Sequence, residues 1–303
     1  MEMQTMNSKV QGLKAFLSQT GRVALVEVAA TKGSTPREAG AFMLVSASAT
    51  FGTIGGGQLE YMAIDKARQM LGGGTRSSAD ETRIEVDEVC ATLDVPLGPQ
   101  IGQCCGGRVE VLIRLVDGSL EQQLIAKARS EEAHRPHVYL FGGGHVGQAL
   151  AASLALLPIH VVVVETRSEA LEGMPERVET RLTPMPEAVV REAPAGSAFA
   201  ILTHDHALDF LIVAEALKRD DTAYVGMIGS KTKKATFRSW FLKSAEGSEA
   251  EFDRLISPIG GNAVKDKRPP VIAALAAAEI MTALVAHASD APGAAGAEKV
   301  MAG

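Results

Sequence analysis

A run of glycines between a hydrophobic stretch and a helical pattern restricts the fold of this chain more than any other segment. Residues 137–141 read as a buried strand, residues 142–147 are Gly-Gly-Gly-His-Val-Gly, and residues 146–157 have helical spacing. A G-x-G-x-x-G loop in this position is typical of a Rossmann-type domain, because the glycines allow a tight turn, close approach to a phosphate and close packing of helix on strand. Glu165 ends the next predicted strand, where a ribose-binding carboxylate is expected.

The rest of the second half alternates between strand and helix patterns. Strands are predicted at 159–164, 198–203 and 222–228, and helices at 186–192, 207–218, 231–243 and from Pro269 or Pro270 to about residue 287. Such alternation favours a parallel sheet with helices on both faces. We therefore expect a Rossmann-like α/β domain at 131–288 and a disordered tail at 289–303, which is rich in Ala, Gly and Pro.

The first half mixes strands and helices without that alternation. Helices are predicted at 7–19, 58–71 and 119–129, and strands at 23–29, 41–46, 50–54, 83–89 and 108–116, with a loop from 90 to 107. We assign an α+β domain to residues 1–130, followed by a polar connector at 130–136. At 303 residues the chain is about twice the size of a typical domain, which agrees with two domains.

Composition excludes several classes of function. The formal net charge of −6 and the aromatic content of 4% argue against nucleic-acid binding and against anionic membrane surfaces. Three cysteines, two of them adjacent, do not make a disulfide framework and indicate a reducing compartment. No signal peptide is recognised, and apolar runs such as 159–164 are too short to span a bilayer. We expect a cytoplasmic protein.

The segment 203–206, Thr-His-Asp-His, follows a predicted strand and opens a helix at the sheet edge where ligands of α/β proteins bind. One interpretation is a metal or acid–base site that uses His204 and His206. The alternative is that Asp205 or Thr203 caps the helix and both histidines face solvent.

A similar arrangement follows the next predicted strand. Ser230 is placed to cap a helix, and Lys231, Lys233 and Lys234 would make that rim basic. The lysines fit an anionic ligand, and they fit a solvated helix face equally well.

Two segments of the first half have unusual chemistry. Residues 102–107 are Gly-Gln-Cys-Cys-Gly-Gly, in which Arg108 and glycine N–H groups would favour a thiolate, a ligand for soft metals. The alternative is that Cys104 and Cys105 are small buried hydrophobic residues. Residues 52–60, Gly-Thr-Ile-Gly-Gly-Gly-Gln-Leu-Glu, form a second glycine loop before a helix and a candidate phosphate cradle. This loop lacks the Gly-Lys-Ser/Thr ending of a P-loop, so no ATPase is predicted.

Six segments in this order resemble the XdhC/CoxI family of xanthine dehydrogenase accessory proteins over about residues 8–287. They are Thr-Lys-Gly-Ser-Thr-Pro-Arg-Glu-Ala-Gly at 31–40, the two segments at 52–60 and 102–107, Phe-Gly-Gly-Gly-His-Val-Gly at 141–147, Thr-His-Asp-His-Ala-Leu-Asp at 203–209 and Tyr-Val-Gly-Met-Ile-Gly-Ser-Lys at 224–231. The loop at 258–268, Pro-Ile-Gly-Gly-Asn-Ala-Val-Lys-Asp-Lys-Arg, departs from the family pattern at Gly261-Asn262.

The resemblance implies a chaperone that binds molybdenum cofactor, holds it while a cysteine desulfurase supplies sulfur, and delivers it to the molybdenum subunit of xanthine dehydrogenase. It also implies a homodimer, no catalytic residues of its own, and Cys105 as a contact to molybdenum with Cys104 second. Together with the glycine loops, the candidate cofactor-binding residues are Cys105, Cys104, Gly106, Gly107, Gly55, Gly56, Gly57, Gln58, Gly142, Gly144, His145, Gly147, His204 and His206.

An alternative function comes from the Rossmann pattern by itself. An NAD(P)-dependent oxidoreductase would bind its nicotinamide cofactor at 142–147 and use His204 or His206 as acid or base. A plain dehydrogenase has no need of the pair Cys104-Cys105, and this pair separates the two hypotheses.

Overall fold

The computed structural model describes residues 9–72, the strand at 83–86, residues 90–97 and residues 106–290. Residues 291–303 of the predicted tail, the vicinal cysteines, residues 87–89 of a predicted strand and residues 7 and 8 of the first predicted helix lie outside this part of the chain. The chain divides into two compact units, and the division falls between Ala133 and His134.

The first unit is built on an antiparallel six-stranded sheet. Its strands are β1 (Ala24–Lys32), β2 (Phe42–Val45), β3 (Thr50–Gly52), β4 (Arg83–Val86), β5 (Cys90–Pro96) and β6 (Arg108–Leu115), in the order β3-β2-β1-β6-β5-β4. The two longest strand pairings are those of β1 with β6 and of β5 with β6.

Three helices cover the two faces of this sheet: α1 (Lys9–Gln19), α2 (Gly57–Gly72) and α3 (Gly118–Ala133). Alternate residues of β1 point to opposite faces, as the pleat of a strand requires. Val26 and Val28 pack with α2, whereas Leu25 packs with α1 and α3. The first unit is therefore an α+β domain with the sheet in its middle layer, as predicted.

The second unit contains a parallel six-stranded sheet. Its strands are β7 (His137–Phe141), β8 (His160–Glu165), β9 (Glu179–Leu182), β10 (Ala198–Ile201), β11 (Tyr224–Met227) and β12 (Leu255–Ile256), in the order β12-β11-β10-β7-β8-β9. All neighbouring pairs are parallel. Counted within the unit, this is the strand order 3-2-1-4-5-6 of dinucleotide-binding folds, in which the direction of winding reverses between β7 and β10.

The helices of the second unit lie on both faces of its sheet. They are α4 (His145–Leu154), α5 (Pro186–Glu192), α6 (His206–Lys218), α7 (Lys231–Ser244), α8 (Glu249–Asp253) and α9 (Pro269–Asp290). On one face, Val138 and Leu140 of β7 pack with α4 and α9. On the other, Tyr139 and Phe141 pack with α5, α6, α7 and α8. The predicted Rossmann-like parallel-sheet domain is confirmed.

Several predicted boundaries are wrong. The stretch 90–97, expected to be loop, carries β5, whose Ala91, Leu93 and Val95 alternate into the core. The expected connector at 130–136 begins inside α3, which continues to Ala133. Ser289 and Asp290, assigned to the tail, belong to α9. The short elements β9, α8 and β12 were not predicted.

One helix among the described residues, α9, is long and apolar enough to cross a membrane by length and composition, with a mean hydropathy of 1.9 over 18 residues. The expectation that the apolar runs are too short therefore does not hold for this helix. Ala273, Ala276, Ile280 and Leu284 are buried against the sheet face that carries α4. This packing accounts for one side of the helix, since 28% of the apolar window is buried.

Candidate functional site

The glycine loop that follows β7 is tightly packed at three of its four glycines. Gly142 has a φ of +116°, and a Cβ there would lie 2.8 Å from the carbonyl oxygen of Leu202. At Gly143 it would lie 2.2 Å from the oxygen of Ala170, and at Gly147 2.0 Å from the oxygen of Gly142. These glycines are needed because backbone approaches backbone at each of them.

Gly144 differs from the other three glycines. It is exposed, a Cβ there would meet nothing within 4 Å, and it forms the N-cap of α4 without a side-chain capping hydrogen bond. The next residue, His145, is exposed as well. The start of α4 is thus open to solvent at Gly144 and His145, and a helix N-terminus in this position binds anions in folds of this kind.

Glu165, at the end of β8, is hydrogen-bonded to the glycine loop. Its Oε2 accepts a hydrogen bond from the N–H of Gly143 at 2.9 Å, and its Oε1 accepts one from the N–H of Thr166 at 2.8 Å. Arg167 donates to both oxygens. Burial alone would raise the pKa of Glu165, but these donors outweigh burial and lower it. The carboxylate expected to bind a ribose is already bonded within the protein.

The segment after β10 lies beside this loop. The notional Cβ of Gly142 is also 3.1 Å from the N of Thr203, so residues 142–147 and 203–209 meet where the winding of the sheet reverses. The side chain of Asp205 accepts from the N–H groups of Ala207 and Leu208 and caps α6. His204 and His206 are exposed. In the part of the chain that the structure describes, no group of His, Cys, Asp and Glu is placed to bind a metal ion. Asp205 therefore caps α6 and both histidines are exposed, as the capping interpretation predicts.

A buried ion pair under this edge was missed in the sequence. Asp209 of α6 is 0% exposed and Lys233 of α7 is 8% exposed, and the ammonium of Lys233 donates to Oδ2 of Asp209. Oδ1 of Asp209 accepts from the N–H of Thr203 at 3.2 Å and from its hydroxyl at 2.6 Å. One carboxylate therefore fixes both α7 and the loop after β10. The only sequence signal was an acidic residue on the otherwise apolar stretch of α6.

Two of the three lysines expected to form a basic rim are hydrogen-bonded within the protein. Lys233 points inward to Asp209, and Lys234 donates to the carbonyl oxygen of Leu255 at 2.9 Å. Lys231 remains exposed. Ser230 caps α7 by accepting from the N–H of Lys233, as predicted.

In the first unit, the glycine loop at 52–60 binds a carboxylate of its own. Oε2 of Glu60 accepts from the N–H groups of Ile54 and Gly56, both at 3.0 Å, and from the hydroxyl of Thr53. Burial alone would raise the pKa of Glu60, but the Thr53 hydroxyl and the loop N–H groups outweigh burial and lower it. The donors expected to hold a phosphate here are occupied by Glu60, while Gly57 and Gln58 are exposed.

Three segments singled out in the sequence meet in the first unit. A Cβ on Gly55 would lie 2.9 Å from the ring of Pro36, so the 52–60 loop contacts the 31–40 loop. A Cβ on Gly107 would lie 2.3 Å from the carbonyl oxygen of Ser34. Gly106 is exposed and directly precedes this contact. Cys104 and Cys105 come immediately before Gly106 and lie outside the described residues.

Substitution Glu60→Gln is expected to destabilise the first unit by about 2 kcal/mol at pH 7, because three donors lose a charged acceptor. The folded-state pKa of Glu60 is lowered, so its stabilisation is present above the unfolded value of 4.5 and is lost as pH falls through the folded value. Urea unfolding followed by circular dichroism at pH 7 and near pH 4 should show the difference between the two proteins shrinking in acid. A difference that is unchanged or larger in acid would contradict this role of Glu60.

Comparisons with known proteins give one consistent family. A family model described as the XdhC Rossmann domain matches residues 138–280, and one described as the XdhC and CoxI family matches residues 16–82. The Escherichia coli K12 protein YqeB, named as uncharacterized, is 27% identical over an alignment of 277 positions that covers 85% of this chain. The chain spans only 43% of the length of YqeB.

A solved structure extends the comparison to the fold. The crystal structure of a Bacillus halodurans protein described as a xanthine dehydrogenase matches 95% of this chain and 99% of its own, with a TM-score of 0.76 and 17% identity. At that identity the likeness concerns the fold alone.

Proposed function

The chain belongs to the XdhC and CoxI family, and from this membership we propose that it assists the maturation of a xanthine dehydrogenase. In this proposal the protein binds molybdenum cofactor as cargo and holds it while a cysteine desulfurase supplies sulfur. It then delivers the cofactor to the molybdenum subunit of the apoenzyme. It performs no turnover of its own.

The observation that carries the proposal is the junction of three family segments in the first unit. The 31–40 loop contacts Gly55 on one side and Gly107 on the other. Gly107 is buried, and its carbonyl oxygen accepts from the N–H of Leu97 at 2.8 Å, so the chain just after Cys105 is fixed to the sheet. Gly106, the neighbour of Cys105, is exposed. A thiol next to an anchored, accessible backbone suits reversible contact with a ligand.

The chemistry of a cysteine fits this cargo. A thiolate is a soft ligand and matches a thiophilic metal centre better than the carboxylates and imidazoles of the chain do. We assign Cys105 as the contact to molybdenum and Cys104 as the second thiol. Because Glu60 occupies the N–H groups of its loop, we do not assign the cofactor's phosphate to residues 54–56.

A second candidate function rests on the second unit. Its strand order and the open first turn of α4 at Gly144 favour binding of a nucleotide, and an NAD(P)-dependent oxidoreductase would use both. Against it, both carboxylate oxygens of Glu165 are already bonded, so a ribose hydroxyl would have to displace an internal donor.

The decisive experiment is anaerobic titration of the full chain with molybdenum cofactor. We expect Cys105→Ala to weaken binding at least tenfold, because a metal–thiolate contact is lost, and Cys104→Ala to weaken it less. The matched control is Cys90→Ala: Cys90 lies half-buried at the start of β5 opposite Arg114, at the other end of this strand from the pair of Pro96 with Arg108. Binding is followed by the absorption of the cofactor or by equilibrium dialysis.

Two outcomes would contradict this function. Equal binding by the native chain and by Cys105→Ala would remove the thiol from the site. Retention of NAD(H) through purification, with hydride transfer to a substrate, would favour the oxidoreductase.

A further inference from the structure

A cavity of about 230 Å³ opens on the face of the first sheet that carries α1 and α3. We call it the basic cavity, and the residues that define it are Lys9, Arg37, Phe42, Thr53, Lys127 and Glu131. It lies next to the 31–40 and 52–60 segments, since Arg37 belongs to the first and Thr53 to the second. Neither the family comparison nor the proposed function assigns it a role.

The charges around the cavity do not balance. Lys9, Arg37 and Lys127 carry three positive charges, and Glu131 carries one negative charge. The carboxylate of Glu131 pairs with Lys9 at 2.8 Å. Among the residues that the structure describes, neither Arg37 nor Lys127 forms an ion pair. The residues that line the cavity therefore carry a net charge of about +2 at neutral pH, while the carboxylate of Glu60, which is not one of them, is bonded to the hydroxyl of Thr53.

Two of these cations lie close to the aromatic ring of Phe42. The ammonium groups of Lys9 and Lys127 lie 5.5 Å and 5.8 Å from the centre of the Phe42 ring. The ring attracts each of them, but it does not remove their mutual repulsion. An anion placed in the cavity would relieve that repulsion, so the arrangement favours an anionic ligand.

The size and charge of the cavity narrow the class of ligand. Pockets for whole drug-sized molecules measure about 300–1,000 Å³, so 230 Å³ suits a small molecule or one charged group of a larger one. A phosphate monoester carries a charge of about −1.5 to −2 at pH 7, close to the surplus of the cavity. A single carboxylate would neutralise only half of it. Gly40, where a Cβ would meet nothing within 4 Å, leaves room beside the cations.

We propose that the basic cavity binds a phosphate monoester through Lys9, Arg37 and Lys127. This inference is independent of the maturation role, because it rests on charge and space within the first unit. The phosphate belongs either to a free small anion or to a larger organic ligand whose remainder lies outside the cavity.

The test is calorimetric titration of the full chain with phenyl phosphate, inorganic phosphate and benzoate at low ionic strength, where exposed charges are least screened. We expect phenyl phosphate to bind, and Arg37→Gln and Lys127→Gln each to weaken it at least tenfold. Benzoate should bind more weakly than either phosphate. The matched control is Lys66→Gln, which removes the same charge from α2 on the opposite face of the sheet.

Each result has a defined meaning. Equal affinity for the two phosphates indicates a free anion as the natural ligand, and a preference for phenyl phosphate indicates an organic one. Lys127→Arg, which keeps the charge, should retain most of the binding. The proposal is overturned if the native chain binds no phosphate, if both glutamine variants bind like the native chain, or if Lys66→Gln weakens binding as much as they do.

Discussion

Replacement of Asp209 by alanine is expected to lower the free energy of unfolding of the second unit by about 3–5 kcal/mol. The substitution leaves the ammonium of Lys233 buried without its carboxylate, with the carbonyl oxygen of Ile228 at 3.0 Å as its remaining acceptor. It also deprives the N–H of Thr203 of its acceptor and leaves the hydroxyl of Thr203 with the carbonyl oxygen of Asp205, at 3.0 Å, as its remaining acceptor. A loss of this size is a large fraction of the roughly 5–15 kcal/mol that stabilises a typical domain.

The single tryptophan of the chain allows this loss to be measured in the second unit alone. Trp240 lies on α7 and packs against Phe210 and Phe237, close along the helix to Lys233. Urea unfolding followed by tryptophan fluorescence should show the midpoint of this transition falling sharply for Asp209→Ala.

Two further variants separate the buried pair from general effects of lost charge. Glu249→Ala removes the partner of Arg238 from an exposed ion pair and should cost at most about 1 kcal/mol. Asp209→Leu combined with Lys233→Met should recover much of the loss, because no charge stays buried. A loss for Asp209→Ala no larger than that for Glu249→Ala would show that the buried pair contributes little.

Substitution of Gly143 by alanine is expected to destabilise the second unit much more than the same substitution at its neighbour Gly144. At Gly143 the new Cβ would lie 2.2 Å from a carbonyl oxygen, which forces the loop to move and should cost about 3 kcal/mol or more. That movement would also break the hydrogen bond from the N–H of Gly143 to Glu165. At Gly144 the φ is −69° and the space is open, so alanine should cost no more than about 1 kcal/mol, the usual disadvantage of alanine at an N-cap.

The same fluorescence-detected unfolding measures both variants. Gly147→Ala serves as a second destabilised variant, because its Cβ would lie 2.0 Å from the oxygen of Gly142. If Gly143→Ala and Gly144→Ala have equal stability, the contact with Ala170 does not restrain the loop.

Much of the fold could be predicted because its signals are local. The glycine spacing at 142–147 and the alternation of strands and helices identify the Rossmann-like domain without knowledge of distant contacts. The sequence around β5 also has a local signal, since Ala91, Leu93 and Val95 alternate, but Pro96 and Gly98, which follow them, are residues typical of loops. The edge strand β9 has no buried residue and so leaves no hydrophobic pattern.

The contacts that define the candidate sites are less accessible to sequence reasoning. Asp209 and Lys233 are 24 positions apart on different helices, and no periodicity links them. The pairing of Glu60 with the glycine loop before it is local, but the same residues fit a phosphate cradle equally well. Burial and hydrogen bonding, which only the folded chain provides, decide between such alternatives.

The carboxylate of Glu60 competes with anions from solution for the N–H groups of its loop. It is tethered within seven residues of Thr53, and a ligand on so short a tether is present at an effective concentration on the order of millimolar or higher. Phosphate or carboxylate from solution must exceed that concentration to displace it. Anions at micromolar levels therefore leave the loop hydrogen-bonded to Glu60. This internal contact stabilises the start of α2.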